Sequence, residues 1–260
     1  MSFDAEQYVH YRIANAPVLR HPFPHFYVEP VFPEEFFREL RARLPDLSAY
    51  KRLDETGTVP KGKYPERFVC PVADAEEAEF AAGKGTFWAE FNAWLMGDAF
   101  ARLIVDKFRS GFAERFGAEV EPRFEVDGRL VRDFTNYAIS PHTDSTRKLV
   151  SLLFYLPADD SMSHLGTSIY VSKDPGFGCK GGPHYPFEMF RKAATMPFRP
   201  NALFAFAKTD HAFHGVDQIT DAGVARDLLL YNLYVTKLIG VQPAEPPKAT
   251  RARFWQREQA

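Results

Sequence analysis

The apolar periodicity of the chain changes at Gly117, and that change limits the fold more than any other feature. Before it the spacing is helical. Pro33 stands at a first helical position, and Glu34 and Glu35 load the first turn with negative charge. Phe36, Phe37, Leu40 and Leu44 then recur on one face until Pro45. A second helical region is expected over 86–116, with Thr86 as N-cap. One apolar face holds Phe87, Trp88, Phe91, Trp94 and Leu95. After a break at Gly97-Asp98, another holds Phe100, Leu103, Ile104, Phe108, Phe112 and Phe116. Beyond Gly117 the pattern is that of short strands. Residues 123–126 and 129–134 read as a hairpin turning at Asp127-Gly128. Further strands are expected at 136–140, 147–156, 168–173, 202–207, 214–219 and 226–236. A Gly- and Pro-rich stretch, 173–190, forms the long loop. Many strands, few helices and such turns indicate a sandwich or jelly roll.

Composition supports this layout. Phe alone accounts for 25 residues, and aromatics make up 15% of the chain. So many rings need broad apolar faces, as when helices pack on a sheet. The 260 residues suit one large domain. Within it, 1–120 reads as an N-terminal helical buttress of the same domain, 121–240 as the core and 241–260 as a Pro-rich, charged tail. A net charge of −2 argues against nucleic acid or a membrane surface as partner. No apolar stretch is long enough to span a bilayer, and MSFDAEQYVHYR shows no signal-like apolar run, so a cytoplasmic location is expected. Cys70 and Cys179 lie far apart, which disfavours a disulfide framework or a cysteine-based zinc site. Gly83 to Thr86 reads GKGT but lacks the spacing of a phosphate-binding loop.

The chemistry concentrates in Asn136-Tyr-Ala-Ile-Ser-Pro-His142-Thr-Asp144. In a continuing strand His142 and Asp144 share a face. A His from another strand would complete a two-His, one-carboxylate facial triad, the ligand set of non-haem Fe(II) oxygenases. Both His211 and His214 are candidates for that third place. Alone, a His-x-Asp pair is a weak signal. The second His before a candidate strand, and Arg226 beyond it, strengthen it.

With these motifs the chain resembles the 2-oxoglutarate- and Fe(II)-dependent dioxygenases, in particular the prolyl 4-hydroxylase-like branch. The resemblance rests on Tyr137 through Asp144, Arg147 through Pro157, Pro200-Asn201 leading to Phe213-His214-Gly-Val216, and Arg226 through Asn232. It covers roughly 123–237. It implies a mainly β chain with N-terminal helices: a double-stranded β-helix (jelly-roll, cupin-like) core buttressed by α-helices. It also implies His142, Asp144 and His214 as iron ligands. His214 is preferred to His211 because it precedes Gly-Val, which leaves His211 in the preceding turn.

The resemblance casts Arg226 as the partner of the far carboxylate of 2-oxoglutarate, where a charge-assisted contact is needed; without the motif it would read as a strand-end surface Arg. Tyr155 corresponds to a Tyr sharing that carboxylate, and Leu149, Ser151, Leu153 and Tyr155 alternate onto one face. Tyr137 matches a Tyr that contacts the cosubstrate. Both tyrosines read equally well as core rings. Asn232 shares strand parity with Arg226, so either a cosubstrate or substrate group or a neighbouring side chain would satisfy it.

The implied reaction is hydroxylation of a C–H bond coupled to conversion of 2-oxoglutarate and O2 into succinate and CO2. Ascorbate is a further candidate cofactor. The carboxylate ligand favours hydroxylation over halogenation and leaves desaturation and ring closure open. The expected substrate is a small molecule, amino-acid-like or sugar-like, rather than a protein side chain. His184, Tyr185, Phe187 and Phe190 form either a lid over it or ordinary packing. Two other classes stay open: a non-catalytic jelly-roll binding module, and a cupin-type metalloenzyme such as a zinc hydrolase or isomerase. The triad with Arg226 argues against the first. Arg226 and Tyr155 argue against the second, which needs no 2-oxoglutarate anchor.

Overall fold

The computed structural model describes residues 2–240; the expected tail, 241–260, lies outside them. In chain order the elements are α1 (Ser2–Asn15), β1 (His25–Val28), α2 (Glu34–Ala42), β2 (Lys51–Arg52), β3 (Arg67–Pro71), α3 (Val72–Ala81), α4 (Phe87–Leu95), α5 (Asp98–Lys107) and α6 (Arg109–Phe116). There follow β4 (Glu121–Phe134), β5 (Ile139–His142), β6 (Lys148–Tyr155), β7 (Thr167–Ser172), β8 (Phe190–Met196), β9 (Ala202–Ala207), β10 (His214–Val216) and β11 (Ala225–Ile239).

Two antiparallel sheets face each other. The larger runs β1-β9-β6-β11-β4-β3-β2 and the smaller β5-β10-β7-β8. From β4 onward the chain passes back and forth between them, which is the winding of a jelly roll. The segment before residue 121 also contributes strands, since β1, β2 and β3 extend the larger sheet at both edges. These short strands lack a readable alternation, as their pairing partners are far away in sequence.

The helices cover the outer face of the larger sheet, and most of the Phe lies in that layer. Phe32 stacks on Phe154 of β6 and on Phe36 of α2, with ring centroids 5.4 and 5.3 Å apart. Phe100 of α5 meets Tyr231 of β11 edge-on at 5.1 Å. A second apolar cluster fills the space between the sheets, with Tyr155, Ile169, Phe204, Phe206 and Leu228 among its members.

Several expected elements change. The hairpin at Asp127-Gly128 does not form: β4 continues unbroken and pairs with β11 along its length. Asp-Gly suits a tight turn, but here the glycine serves close approach. A Cβ on Gly128 would lie 2.8 Å from Met96 Sδ and 3.1 Å from Val72 Cγ2, where the helices press on the strand. The region 86–116 divides into three helices, and Gly97 precedes α5 as the sequence suggests. Thr86 precedes α4, but its hydroxyl donates to Glu90 instead of capping the backbone. The strand expected at 136–140 starts later, because Asn136 has a φ of +75°. The stretch expected at 214–219 ends as strand at Val216. Leu149 leaves its expected face: the ladder shifts register between Leu233 and Tyr234, and Leu149 packs on the helix side.

Candidate metal and cosubstrate site

The antiparallel pairing of β5 with β10 sets His142 directly opposite His214. Asp144 follows in the turn after β5. One ligand atom from each of these three side chains falls within 4.8 Å of the others. Close approach of the strands is possible because Gly215 has no side chain; a Cβ there would sit 2.5 Å from the Ile139 carbonyl oxygen. His211 sits exposed in the turn before β10, away from this group.

The surroundings orient the ligands. His142 Nδ1 lies 3.0 Å from the Ser140 carbonyl oxygen, and His214 Nδ1 lies 3.0 Å from that of Ala212. Each Nδ1 therefore donates its proton to backbone, which leaves each Nε2 as a free lone pair. Asp144 accepts from Ser151 Oγ at 2.8 Å and from Lys148 Nζ at 3.0 Å. Burial raises the Asp144 pKa, but Lys148, His214 and His142 outweigh it and hold the carboxyl well below its usual range. Burial depresses His142, helped by His214, and depresses His214 as well. All three groups are thus disposed to be unprotonated at neutral pH, as metal binding requires. The donor set, its tautomers and its spacing fit a divalent metal of the iron type.

The triad lines a cavity between the sheets that Arg226 and Tyr137 also line. Arg226 is fully buried. Its Nε donates to the Leu165 carbonyl at 2.7 Å and its Nη1 to Asp133 at 2.7 Å, while Nη2 has no hydrogen-bond partner among the described residues. The hydroxyls of Tyr137 and Thr167, two more cavity-lining residues, are likewise buried and unpartnered. Burial pushes the Tyr137 pKa far up, so its phenol keeps its proton. Three unsatisfied donors in one cavity are costly unless a ligand takes them. Their chemistry, a guanidinium and two hydroxyls, suits a carboxylate.

Tyr155 and Asn232 are not among the lining side chains. The Tyr155 hydroxyl accepts from Thr167 N at 3.3 Å, and its ring lies beside Phe198. Asn232 Nδ2 donates to Asp127, its partner across the ladder, and the amide oxygen is left without a partner. Sequence reading did not single out Thr167, Arg67, Asp133 or Lys148. Lys148 follows Asp144 by one helical-type step and offered a faint signal; the other three converge only through pairing of distant strands.

The long loop runs beside β5, where Tyr185 N donates to the Pro141 carbonyl. His184 stacks on His142 with centroids 4.4 Å apart and 7° between the planes. Phe177, Tyr185 and Phe190 pack with Phe213, while Phe187 and Met189 are exposed.

One solved structure settles the fold: the non-haem α-ketoglutarate-dependent epimerase SnoN of nogalamycin biosynthesis matches with a TM-score of 0.50 at 12% identity, over 90% of this chain and 84% of that one. The chain shares the fold of that epimerase. Weaker likenesses include a Pseudomonas putida prolyl-4-hydroxylase, with a TM-score of 0.46, 14% identity, and 87% and 98% of the two chains covered. HygX from Streptomyces hygroscopicus, solved with nickel, 2-oxoglutarate and hygromycin B bound, gives 0.43 at 14% identity, with 82% and 83% covered. No family model and no curated protein matches the sequence. Among the described residues no helix is long and apolar enough to cross a membrane.

Proposed function

We propose that the protein is an Fe(II)- and 2-oxoglutarate-dependent dioxygenase that hydroxylates a C–H bond of a small molecule. The observation that carries this reading is one cavity holding both the His142–Asp144–His214 group and three buried donors without partners among the described residues. His142 and His214 would hold the metal through Nε2, and Asp144 through a carboxylate oxygen that Ser151 and Lys148 keep aimed. Arg226 Nη2, with the Tyr137 and Thr167 hydroxyls, would take the far carboxylate of 2-oxoglutarate. Bound together, iron and 2-oxoglutarate supply the activation of O2. The chain's own part is to bind, orient and keep dry: Leu153, Leu228 and Leu230 line the same cavity and exclude water. Residues 121–240 carry this machinery, with 1–120 as its support. Tyr155 and Asn232 bear on the cosubstrate through neighbours: Tyr155 holds the backbone at Thr167, and Asn232 stands opposite Ser151.

The test is anaerobic addition of Fe(II) and 2-oxoglutarate to the folded protein, which should give a weak visible charge-transfer band. Arg226→Ala should lose 2-oxoglutarate affinity by about 30-fold or more, the scale for truncating one member of a buried charged pair, and should bind metal as before. Iron-loaded, folded protein with no band would refute the proposal.

A further inference from the structure

The larger sheet places one row of charge across three strands. In the β3–β4 ladder Arg67 stands opposite Asp133, and in the β4–β11 ladder Asp133 stands opposite Arg226. Asp133 is completely buried, and two guanidinium groups share it. Arg67 grips it with both arms, Nε to Oδ1 at 2.6 Å and Nη2 to Oδ2 at 2.9 Å. Arg226 reaches it with one nitrogen, Nη1 to Oδ2. The Arg67 guanidinium also lies over the Tyr137 ring, 4.2 Å from its centroid.

A carboxylate facing a single arginine tends to form a two-armed pair. Such a pair between Asp133 and Arg226 would engage Nη2, the nitrogen that now has no hydrogen-bond partner among the described residues. Arg67 prevents this by occupying Asp133 with its own fork. We infer that Arg67 is a positioning residue: by engaging both oxygens of Asp133 it keeps Arg226 Nη2, and by stacking it keeps the Tyr137 hydroxyl, free for the distal carboxylate of the cosubstrate. This inference rests on the proposed function. It assigns to a strand outside the jelly roll proper a part in recognising a keto acid with a second carboxylate.

The experiment uses nickel(II)-loaded full-length protein and calorimetric titration with two keto acids. One is 2-oxoglutarate; the other is 2-oxobutyrate, which lacks the distal carboxylate. Arg67→Lys keeps the charge but cannot fork, so it should bind 2-oxoglutarate about tenfold more weakly or worse, the scale of one hydrogen bond to a charged group. Binding of 2-oxobutyrate and of nickel should not change. The Arg67→Gln/Asp133→Asn double variant removes the competitor for Nη2 and should recover most of the affinity that Arg67→Gln alone loses.

Wild-type affinity in Arg67→Lys would overturn the inference, since charge alone would then suffice. So would a double variant no tighter than Arg67→Gln, which would mean that Arg67 touches the ligand directly. Equal loss of both keto acids in Arg67→Lys would also count against it, as damage to the site at large. Failure of the wild-type protein to bind 2-oxoglutarate would instead overturn the cosubstrate reading itself.

Discussion

Replacing Tyr137 by Phe should move two measurements in opposite directions. The ring is fully buried and its hydroxyl has no partner among the described residues. A buried, unsatisfied hydroxyl costs about 1–3 kcal/mol. Its removal leaves the ring contacts in place, with Arg67 at 4.2 Å and Tyr64 at 6.1 Å. The ligand-free variant should therefore gain about 1 kcal/mol, the low end of that range. For a domain of this size that corresponds to a melting temperature about 2–4 °C higher. If the hydroxyl serves the cosubstrate carboxylate, its loss should weaken 2-oxoglutarate binding by about tenfold, since hydrogen bonds to charged groups are worth about 1.5–3 kcal/mol. Thermal melting of the metal-free protein and calorimetry on the nickel-loaded protein give the two numbers. A variant that melts lower, or that binds 2-oxoglutarate as well as the parent, would refute the reasoning that this hydroxyl is held for a ligand.

Two further outcomes follow from the same geometry. Gly215→Ala should lower metal affinity by about tenfold or more, because the new methyl meets the Ile139 carbonyl and pushes β10 from β5, parting His214 from His142; unchanged affinity in a metal titration would contradict the fit described. The metal-free protein should lose stability as pH falls from about 6.5 towards 4. Burial, helped by Lys63, pushes His184 down to about 4, and His142 and His214 are also depressed. In the unfolded chain a histidine takes its proton near pH 6.5, so within that window the unfolded state binds more protons and acid favours it. Urea midpoints measured between pH 7 and pH 5 should fall, less steeply in His184→Gln, and a flat profile would count against these environments.

The triad was legible because its ligands sit at the ends of strands whose alternation shows in the sequence. His142 and Asp144 are two residues apart, and His214 opens a short strand marked by Gly-Val. The jelly roll was legible for the same reason, from β6, β9 and β11 above all. Asp127-Gly128 misled, since a glycine that admits a helix and one that permits a turn look alike in sequence. Local pattern thus determined which residues make up the candidate metal group and roughly where the strands run. The tertiary structure alone decided what surrounds them: that Arg67, Asp133 and Arg226 form one row, that Thr167 joins Tyr137 at the cavity, and that the Tyr155 hydroxyl and the Asn232 amide nitrogen bond to neighbours. Those contacts join residues from 12 to 105 positions apart. They depend on the register of strands brought together by the fold, and no local periodicity encodes that register.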